Sequence, residues 1–284
     1  MEIKVIGVLG AGSMGNGIAQ VASQAGYQVI MRDIEDRFVQ SGLNAIEKFL
    51  TKSVEKGKMT EDQKKGVLFR IKGTTKMEDL KDADFVIEAV FEDLELKKNV
   101  FRQLDELTRS QVILTTNTSS MSVTEIAMAT QRPEKVAGMH FFNPAPLMRL
   151  VEVIRGYHTN DETVHIVMEM AKKMGKEPVE VKKDTPGFIV NRLMIPHFLE
   201  AIKMYEEGIA TIEDIDKAVK LGLNYPMGPF ELMDLTGVDI ALHVTEYLHR
   251  ELNKESKWSA PTLLRSMIRA GKFGKKTGAG WYKY

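Results

Sequence analysis

The stretch Gly138-Met139-His140-Phe141-Phe142-Asn143-Pro144-Ala145-Pro146, followed by Leu150-Val151-Glu152-Val153-Ile154, holds the residues best suited to proton transfer. It reads as a strand, a proline-braced loop and a returning strand. Pro146 lies midway between His140 and Glu152, so a hairpin folded about that loop brings the two side chains opposite each other. A carboxylate touching an imidazole fixes its tautomer and raises its basicity, as a general base requires. A lone histidine at a strand end is more often structural; the pairing and the neighbouring Asn143 turn the reading toward catalysis.

A second constellation lies at the start of the chain. Gly10-Ala11-Gly12-Ser13-Met14-Gly15 fits G-x-G-x-x-G between the apolar run Ile3–Leu9 and a segment with helical spacing to about Gln24. In such a turn Gly10 makes the bend, Gly12 lets backbone approach a pyrophosphate, and Gly15 lets helix and strand pack closely. Ser13 and Met14 open the helix, whose free N–H groups and positive dipole end favour a phosphate. Asp33 closes the second strand, where a carboxylate accepts hydrogen bonds from the adenosine ribose. These features call for a dinucleotide, NAD, with NADP as the alternative because Arg32 and Arg37 flank the acid. Asn117 and Ser119 follow the fourth strand, at the sheet edge where ligands of open α/β sheets bind. Ser122-Val123-Thr124-Glu125 reads as a capping box for the next helix, which leaves Ser119 to the ligand edge.

Other chemistries are poorly supplied. There is no cysteine, hence no disulfide, thiol nucleophile or Cys-ligated metal centre. The six histidines show no H-E-x-x-H spacing, and no metal is expected. Gly271-Lys272-Phe273-Gly274-Lys275-Lys276-Thr277 misses the phosphate-loop spacing and reads as a solvated turn.

The elements that must position these residues come from alternation. Strands are expected at Ile3–Leu9, Gln28–Arg32, Phe85–Ala89, Val112–Thr116 and Lys135–Met139, with helical segments after the first four, which predicts a mostly parallel, Rossmann-type sheet. Residues 38–75 form an insertion with helical spacing. Thr163–Met174 reads as a helix and Val179–Val181 as a short strand. Asp184-Thr185-Pro186-Gly187 is a break. Beyond it the pattern is helical: Phe188–Glu207, Ile212–Leu221, Glu231–Leu252 and Pro261–Ala270. The fold class is therefore α/β, a dinucleotide-binding domain at 1–185 followed by an all-α domain at 186–284. In these 284 residues 39 basic side chains balance 39 acidic ones, so charge gives no cause to expect nucleic acid. No apolar run is long enough for a membrane span, no targeting segment is recognisable, and a cytoplasmic location is expected.

Together these stretches resemble the 3-hydroxyacyl-CoA dehydrogenase family, and its short bacterial 3-hydroxybutyryl-CoA members in particular. The matching motifs are Gly10–Gly15, Val86-Ile87-Glu88-Ala89 with Glu92 and Lys97, Asn117-Thr118-Ser119-Ser120, and His140 through Glu152. They continue with Pro186-Gly187-Phe188-Ile189-Val190-Asn191-Arg192, Pro226-Met227-Gly228-Pro229 and Gly278-Ala279-Gly280-Trp281-Tyr282. The resemblance implies hydride exchange between NAD and C3 of a 3-hydroxyacyl-CoA, with His140 as general acid/base and Glu152 as its support. It implies that Ser119 and Asn191 bond the reacting oxygen, that Asn143 orders the site, and that Glu92 and Lys97 lie near the nicotinamide ribose. The reaction would then sit in the interdomain cleft. Tyr225 departs from the family pattern, where histidine is frequent, but holds no catalytic position.

Lys48, Lys52 and Lys56 share one helical face of the insertion. Such a stripe is usually solvated, with Glu47 and Glu55 as neighbours; the resemblance assigns Lys52 and Lys56 to the CoA nucleotide. Apolar residues in the last hundred positions, among them Leu193-Met194-Ile195, Phe198-Leu199, Leu232-Met233 and Leu235, exceed what four short helices readily hide, which predicts a homodimer or higher homo-oligomer. Two other functions fit the layout: a β-hydroxyacid dehydrogenase acting on a free acid, which generally uses a lysine in place of the His–Glu pair, and a non-catalytic dinucleotide-binding structural protein.

Overall fold

The computed structural model describes residues 2–284. The chain divides into two compact units, one ending at Thr185 and one spanning Pro186–Tyr284.

Among the described residues the first unit is built on one eight-stranded sheet. Its strands are β1 (Val5–Leu9), β2 (Gln28–Arg32), β3 (Ile71–Thr74), β4 (Phe85–Glu88), β5 (Ile113–Thr116), β6 (Val136–Phe141), β7 (Leu150–Ile154) and β8 (Glu177–Val181), in the order β3-β2-β1-β4-β5-β6-β7-β8. Every pairing is parallel except β6 with β7. Strands buried on both faces read as unbroken apolar runs, and side chains of alternate residues go to opposite faces. Ile6, Val8, Phe85 and Ile87 thus join one core cluster, while Leu9, Val86 and Leu114 join the other with Phe101 and Leu104. Helices α1 (Ser13–Gln24), α2 (Asp36–Glu55), α3 (Glu61–Phe69), α4 (Leu94–Leu107), α5 (Val123–Ala127) and α6 (Asp161–Lys173) connect the strands.

Two expectations for this unit need correction. The insertion is not helical throughout, because its end forms β3 against β2. The four residues Ile71-Lys72-Gly73-Thr74 carry too little apolar alternation to announce an edge strand. The site is still specific: a Cβ on Gly73 would lie 2.5 Å from Val39 Cγ1 of α2. The capping box is half made. Ser122 Oγ accepts from Glu125 N, but the Glu125 carboxylate reaches Lys98 Nζ at 2.6 Å instead of returning the bond. Asp184 completes the cap, accepting from Ser122 Oγ and Thr124 N, both at 2.8 Å.

The second unit packs α7 (Val190–Glu206), α8 (Ile212–Gly222), α9 (Pro229–Thr236), α10 (Val238–Glu251) and α11 (Thr262–Arg269) around Phe198, Phe230 and Trp258. The span Glu231–Leu252, expected as one helix, is two, since Gly237 at φ 111° breaks it. Two buried aspartates organise the C-terminus. Asp216 accepts from Phe230 N, Glu231 N and Tyr282 Oη, and Asp234 accepts from Trp281 N, Tyr282 N and Tyr284 Oη. That clasp accounts for the two glycine motifs near the end: a Cβ on Gly228 would lie 2.3 Å from Asp216, and one on Gly280 2.0 Å from Asp234.

Candidate active site

The sheet order reverses between β1 and β4, since β1 leads outward to β2 and β4 to β5. In such sheets a dinucleotide lies across the carboxyl ends of the strands at that reversal. Gly10 leaves β1 at φ 94° with its N–H bonded to Arg32 O at 2.8 Å, and a Cβ there would lie 2.4 Å from Ala89 O. Gly15 is held as tightly, since its Cβ would fall 1.9 Å from Gly10 O. Gly12 is the opposite case. A Cβ on it would meet nothing within 4 Å, and it caps α1 without any side-chain bond to the first turn. The Ser13 and Met14 end of α1 thus presents uncapped N–H groups to open space, which fits a pyrophosphate.

Asp33 stands at the end of β2 with Oδ2 accepting from Ala11 N at 2.6 Å and Oδ1 from Ile34 N at 2.7 Å. Both arginines beside it are engaged elsewhere. Arg37 pairs with Glu35 at 2.7 Å, and Arg32 Nε donates to Thr75 O. The carboxylate therefore dominates this end of the crevice, as a ribose with free hydroxyls requires.

Beyond the reversal, buried charges underlie the ends of β4 and β5. Lys97, 1 % exposed, comes up from α4 to Glu88 at 2.8 Å and Glu92 at 3.2 Å. Glu88 also accepts from Val90 N and Thr116 Oγ1, both at 2.7 Å. Glu92 accepts from Thr118 Oγ1 at 2.6 Å and from Ser119 N at 2.9 Å, with Ser119 Oγ at 3.3 Å. Burial pushes the Glu92 carboxyl up, but the Lys97 charge and the Thr118 and Ser119 donors outweigh it and hold the group below its usual range. For Lys97 burial acts downward, and the two carboxylates win, raising it. Lys97 thus lies beneath Glu92 and fixes it from inside. Glu88, quoted only as part of a motif in the sequence, is the counter-charge on which this depends. An acid closing an otherwise apolar strand was the available signal.

The hairpin forms with the expected register. His140 on β6 faces Glu152 on β7, and Nδ1 lies 2.8 Å from Glu152 Oε2. Both residues are buried, at 6 % and 1 % exposure. With the proton on Nδ1 donated to the carboxylate, Nε2 is the basic nitrogen. Asn117 ties this strand to β5, its Oδ1 accepting from Phe141 N at 2.8 Å. Asn143, in the hairpin loop, accepts from Ser13 Oγ at 3.3 Å, so the loop touches the head of α1. The first unit thereby brings together the glycine turn, Glu92, Asn117, Ser119, His140, Asn143 and Glu152. Asn191 belongs to the second unit, in the first turn of α7. Lys52 and Lys56 lie at the exposed end of α2.

No group of three or more His, Cys, Asp or Glu side chains among the described residues is arranged to hold a metal ion. No helix among them is long and apolar enough to cross a membrane.

Comparison with known proteins places this geometry. Residues 5–185 match the family model of the 3-hydroxyacyl-CoA dehydrogenase NAD binding domain, and residues 187–284 that of the 3-hydroxyacyl-CoA dehydrogenase C-terminal domain. The chain is 48 % identical over 278 residues to a probable 3-hydroxybutyryl-CoA dehydrogenase of Deinococcus radiodurans, covering 98 % of this chain and 99 % of that one. It is 43 % identical over 290 residues to the mitochondrial hydroxyacyl-coenzyme A dehydrogenase of Homo sapiens, covering 99 % and 91 %. Among solved structures, the (S)-3-hydroxybutyryl-CoA dehydrogenase of Ralstonia eutropha superposes with a TM-score of 0.96 at 44 % identity, covering 100 % and 99 %. Likeness of this depth over both units leaves no place for a fold-only resemblance: the chain belongs to the 3-hydroxyacyl-CoA dehydrogenase family and is an NAD-dependent oxidoreductase.

Proposed function

We propose that the chain interconverts (S)-3-hydroxybutyryl-CoA and acetoacetyl-CoA, with His140 as the general acid/base. The observation that carries the reading is the buried His140–Glu152 pair, with Nδ1 at 2.8 Å from Oε2. Gly10, Gly12, Ser13, Met14, Gly15 and Asp33 hold the cofactor's pyrophosphate and adenosine half. Glu92, Lys97, Asn117, Ser119 and Asn143 border the nicotinamide half, Lys97 acting from beneath Glu92. When bound, NAD supplies the hydride acceptor, and in reduced form the donor. The chain's own part is proton transfer and orientation. Nε2 of His140 takes the 3-hydroxyl proton in oxidation and returns it in reduction, while the Glu152 carboxylate fixes the ring and stabilises it when charged. Ser119 donates to the reacting oxygen. Asn191 is assigned to the same oxygen on the resemblance alone, and an Asn191→Ala variant tests that assignment separately.

The deciding assay follows NADH absorbance with acetoacetyl-CoA and, separately, with free acetoacetate. Oxidation of NADH by the thioester and not by the free acid is expected. Turnover of the free acid alone would favour a β-hydroxyacid dehydrogenase, and NADH binding without turnover of either would favour a non-catalytic role.

Lys52 and Lys56 bind the nucleotide of CoA in this proposal. They lie four apart at the end of α2, both exposed. Converting both to glutamate should raise KM for acetoacetyl-CoA by roughly tenfold or more, the equivalent of about 1.4 kcal/mol, and leave KM for acetoacetyl-pantetheine unchanged. Equal effects on the two thioesters would make these lysines an ordinary solvated face.

The same reading includes a cytoplasmic location and a homodimer or higher homo-oligomer joined through the second unit. The apolar surplus behind the oligomer is smaller than the sequence promised. Ile195, Phe198, Leu199 and Met233 pack inside the unit's own core. Of those named, Leu193 at 71 % and Leu235 at 50 % exposure stay in water, as do Ile209, Leu221, Leu223 and Ile240 elsewhere on the unit.

A further inference from the structure

Lys176 is buried, at 8 % exposure, and no acidic group contributes to its titration; burial alone draws its ammonium below the usual 10.5. An ammonium removed from water without a counter-charge is unfavourable, and lysine is rarely placed so unless its donors are used. Here they are used on backbone. Nζ donates to Ala145 O at 2.5 Å and to Met148 O at 2.9 Å. Both carbonyls belong to the loop that joins β6 to β7, between His140 and Glu152.

The base from which Lys176 reaches is rigid. Its own N–H bonds Ala171 O at 3.0 Å in the last turn of α6, and the next residue, Glu177, donates to Arg149 O at 2.8 Å as β8 begins. On its other side the loop is seated on α1. A Cβ on Gly17 would lie 3.1 Å from Pro146 Cδ and 3.2 Å from Ala145 Cβ, and Ser13 Oγ reaches Asn143 Oδ1. Leu147 N and Met148 N both turn back onto Pro144 O, at 3.0 and 3.1 Å. The loop is therefore pressed between the helix of the glycine turn and one cationic side chain. A methionine or leucine would fill the volume of Lys176 but could hold neither carbonyl.

We propose that Lys176 is a positioning residue for the dehydrogenase reaction: its ammonium clamps the Ala145 and Met148 carbonyls, and so holds Asn143 and the strand ends bearing His140 and Glu152 in register against α1. The inference rests on the roles given above to His140 and Asn143. Its force is geometric, because displacing reacting groups by about 1 Å from a distance can cost 10²-fold in rate.

The test compares the parent enzyme with Lys176→Met, Lys176→Gln and Lys176→Ala, and with Asn143→Ala and His140→Ala in parallel. Lys176→Met should fold, lower kcat for acetoacetyl-CoA by roughly 10- to 100-fold well below its melting temperature, and change NADH affinity less than threefold. Lys176→Gln, which keeps N–H donors without the charge, should retain more kcat than Lys176→Met. Added methylammonium should restore part of the kcat of Lys176→Ala, whereas an equal concentration of sodium should not. Amide exchange at Leu147 and Met148 should quicken at least tenfold in Lys176→Met, and this readout is independent of chemistry. Normal kcat and unchanged loop exchange in Lys176→Met would overturn the clamp, as would loss of activity that only tracks loss of folded protein. If Lys176→Met fails to fold, Lys176→Gln and the methylammonium response decide in the same way. If instead loop exchange quickens while Asn143→Ala and His140→Ala stay active, the fault lies with the catalytic roles and not with the clamp.

Discussion

A carboxylate held against one ring nitrogen fixes an imidazole's orientation and leaves the other nitrogen for chemistry, and His140 is held in this way by Glu152. Replacing His140 with alanine should lower kcat by roughly 10²–10⁴-fold, the usual worth of a general acid/base group, with NADH affinity nearly unchanged by fluorescence titration. Glu152→Gln should also lower kcat, since an amide neither balances the imidazolium nor enforces the Nδ1 proton. A near-normal kcat in His140→Ala would remove the mechanism. The charges around Lys97 invite a different measurement. Lys97→Met leaves Glu88, 0 % exposed, without its cation, and breaking a buried pair from one side typically costs about 3–5 kcal/mol. Its pH dependence follows from the signs of the shifts. Glu92 titrates below its usual 4.5 in the folded state, so its contribution is present above 4.5 and lost as pH falls through the lower folded value. Lys97 titrates above 10.5, so its contribution is complete below 10.5 and lost as pH rises through the higher folded value. Melting temperature against pH should fall at both limits in the parent and more shallowly in Lys97→Met. An unaltered profile would show that the network does not stabilise the fold.

At the level of elements, the glycine turn separates packing from ligand binding. Gly15 lies where any Cβ collides with Gly10 O, so Gly15→Ala must shift the β1–α1 joint and should cost about 1–3 kcal/mol of stability. Gly12 faces open space, so Gly12→Ala should leave stability within about 0.5 kcal/mol. It should nevertheless weaken NADH binding by roughly tenfold or more, by keeping backbone and phosphate apart. Thermal melts and NADH titrations on the two variants check both halves. Equal losses of stability would mean that Gly12 serves packing and not the cofactor. The hairpin makes a related point. Its antiparallel pairing, alone in a parallel sheet, is what lets two residues close in sequence face each other directly across neighbouring strands.

For the molecule as a whole, the exposed side chains of the helical unit bear on assembly. Leu193, Leu221, Leu223, Leu235 and Ile240 are exposed on the helical unit, and exposed apolar side chains mark an interface where they form one contiguous patch. Light scattering at micromolar concentration should give at least twice the 32.0 kDa of one chain. A monomer would remove the interface. The first unit has its own core clusters and sheet, so a fragment ending at Thr185 is the natural control. It should be monomeric and still bind NAD, and its dimerisation would move the interface to the other unit.

What could be read from residues alone was whatever local physics dictates. Gly10, Gly12 and Gly15 before a helix, an acid after the next strand, and a proline-centred His140–Glu152 hairpin each express their geometry within a short span. Backbone conformation and alternation therefore suffice to read them, and the doubly buried strands announce themselves as apolar runs. The tertiary structure decided what depends on partners far along the chain. Residues 71–74 are a strand because β2 offers its edge. Glu88 is a buried counter-charge because Lys97 rises from α4 beneath it. Helices α9 and α10 are two because Gly237 adopts a positive φ, and Ile195, Phe198 and Met233 are core because the helices of their own unit enclose them. Lys176 carries no signal in its neighbours at all. An ammonium holding two backbone carbonyls is chosen by where a loop lands in space, and spacing along the chain does not record that.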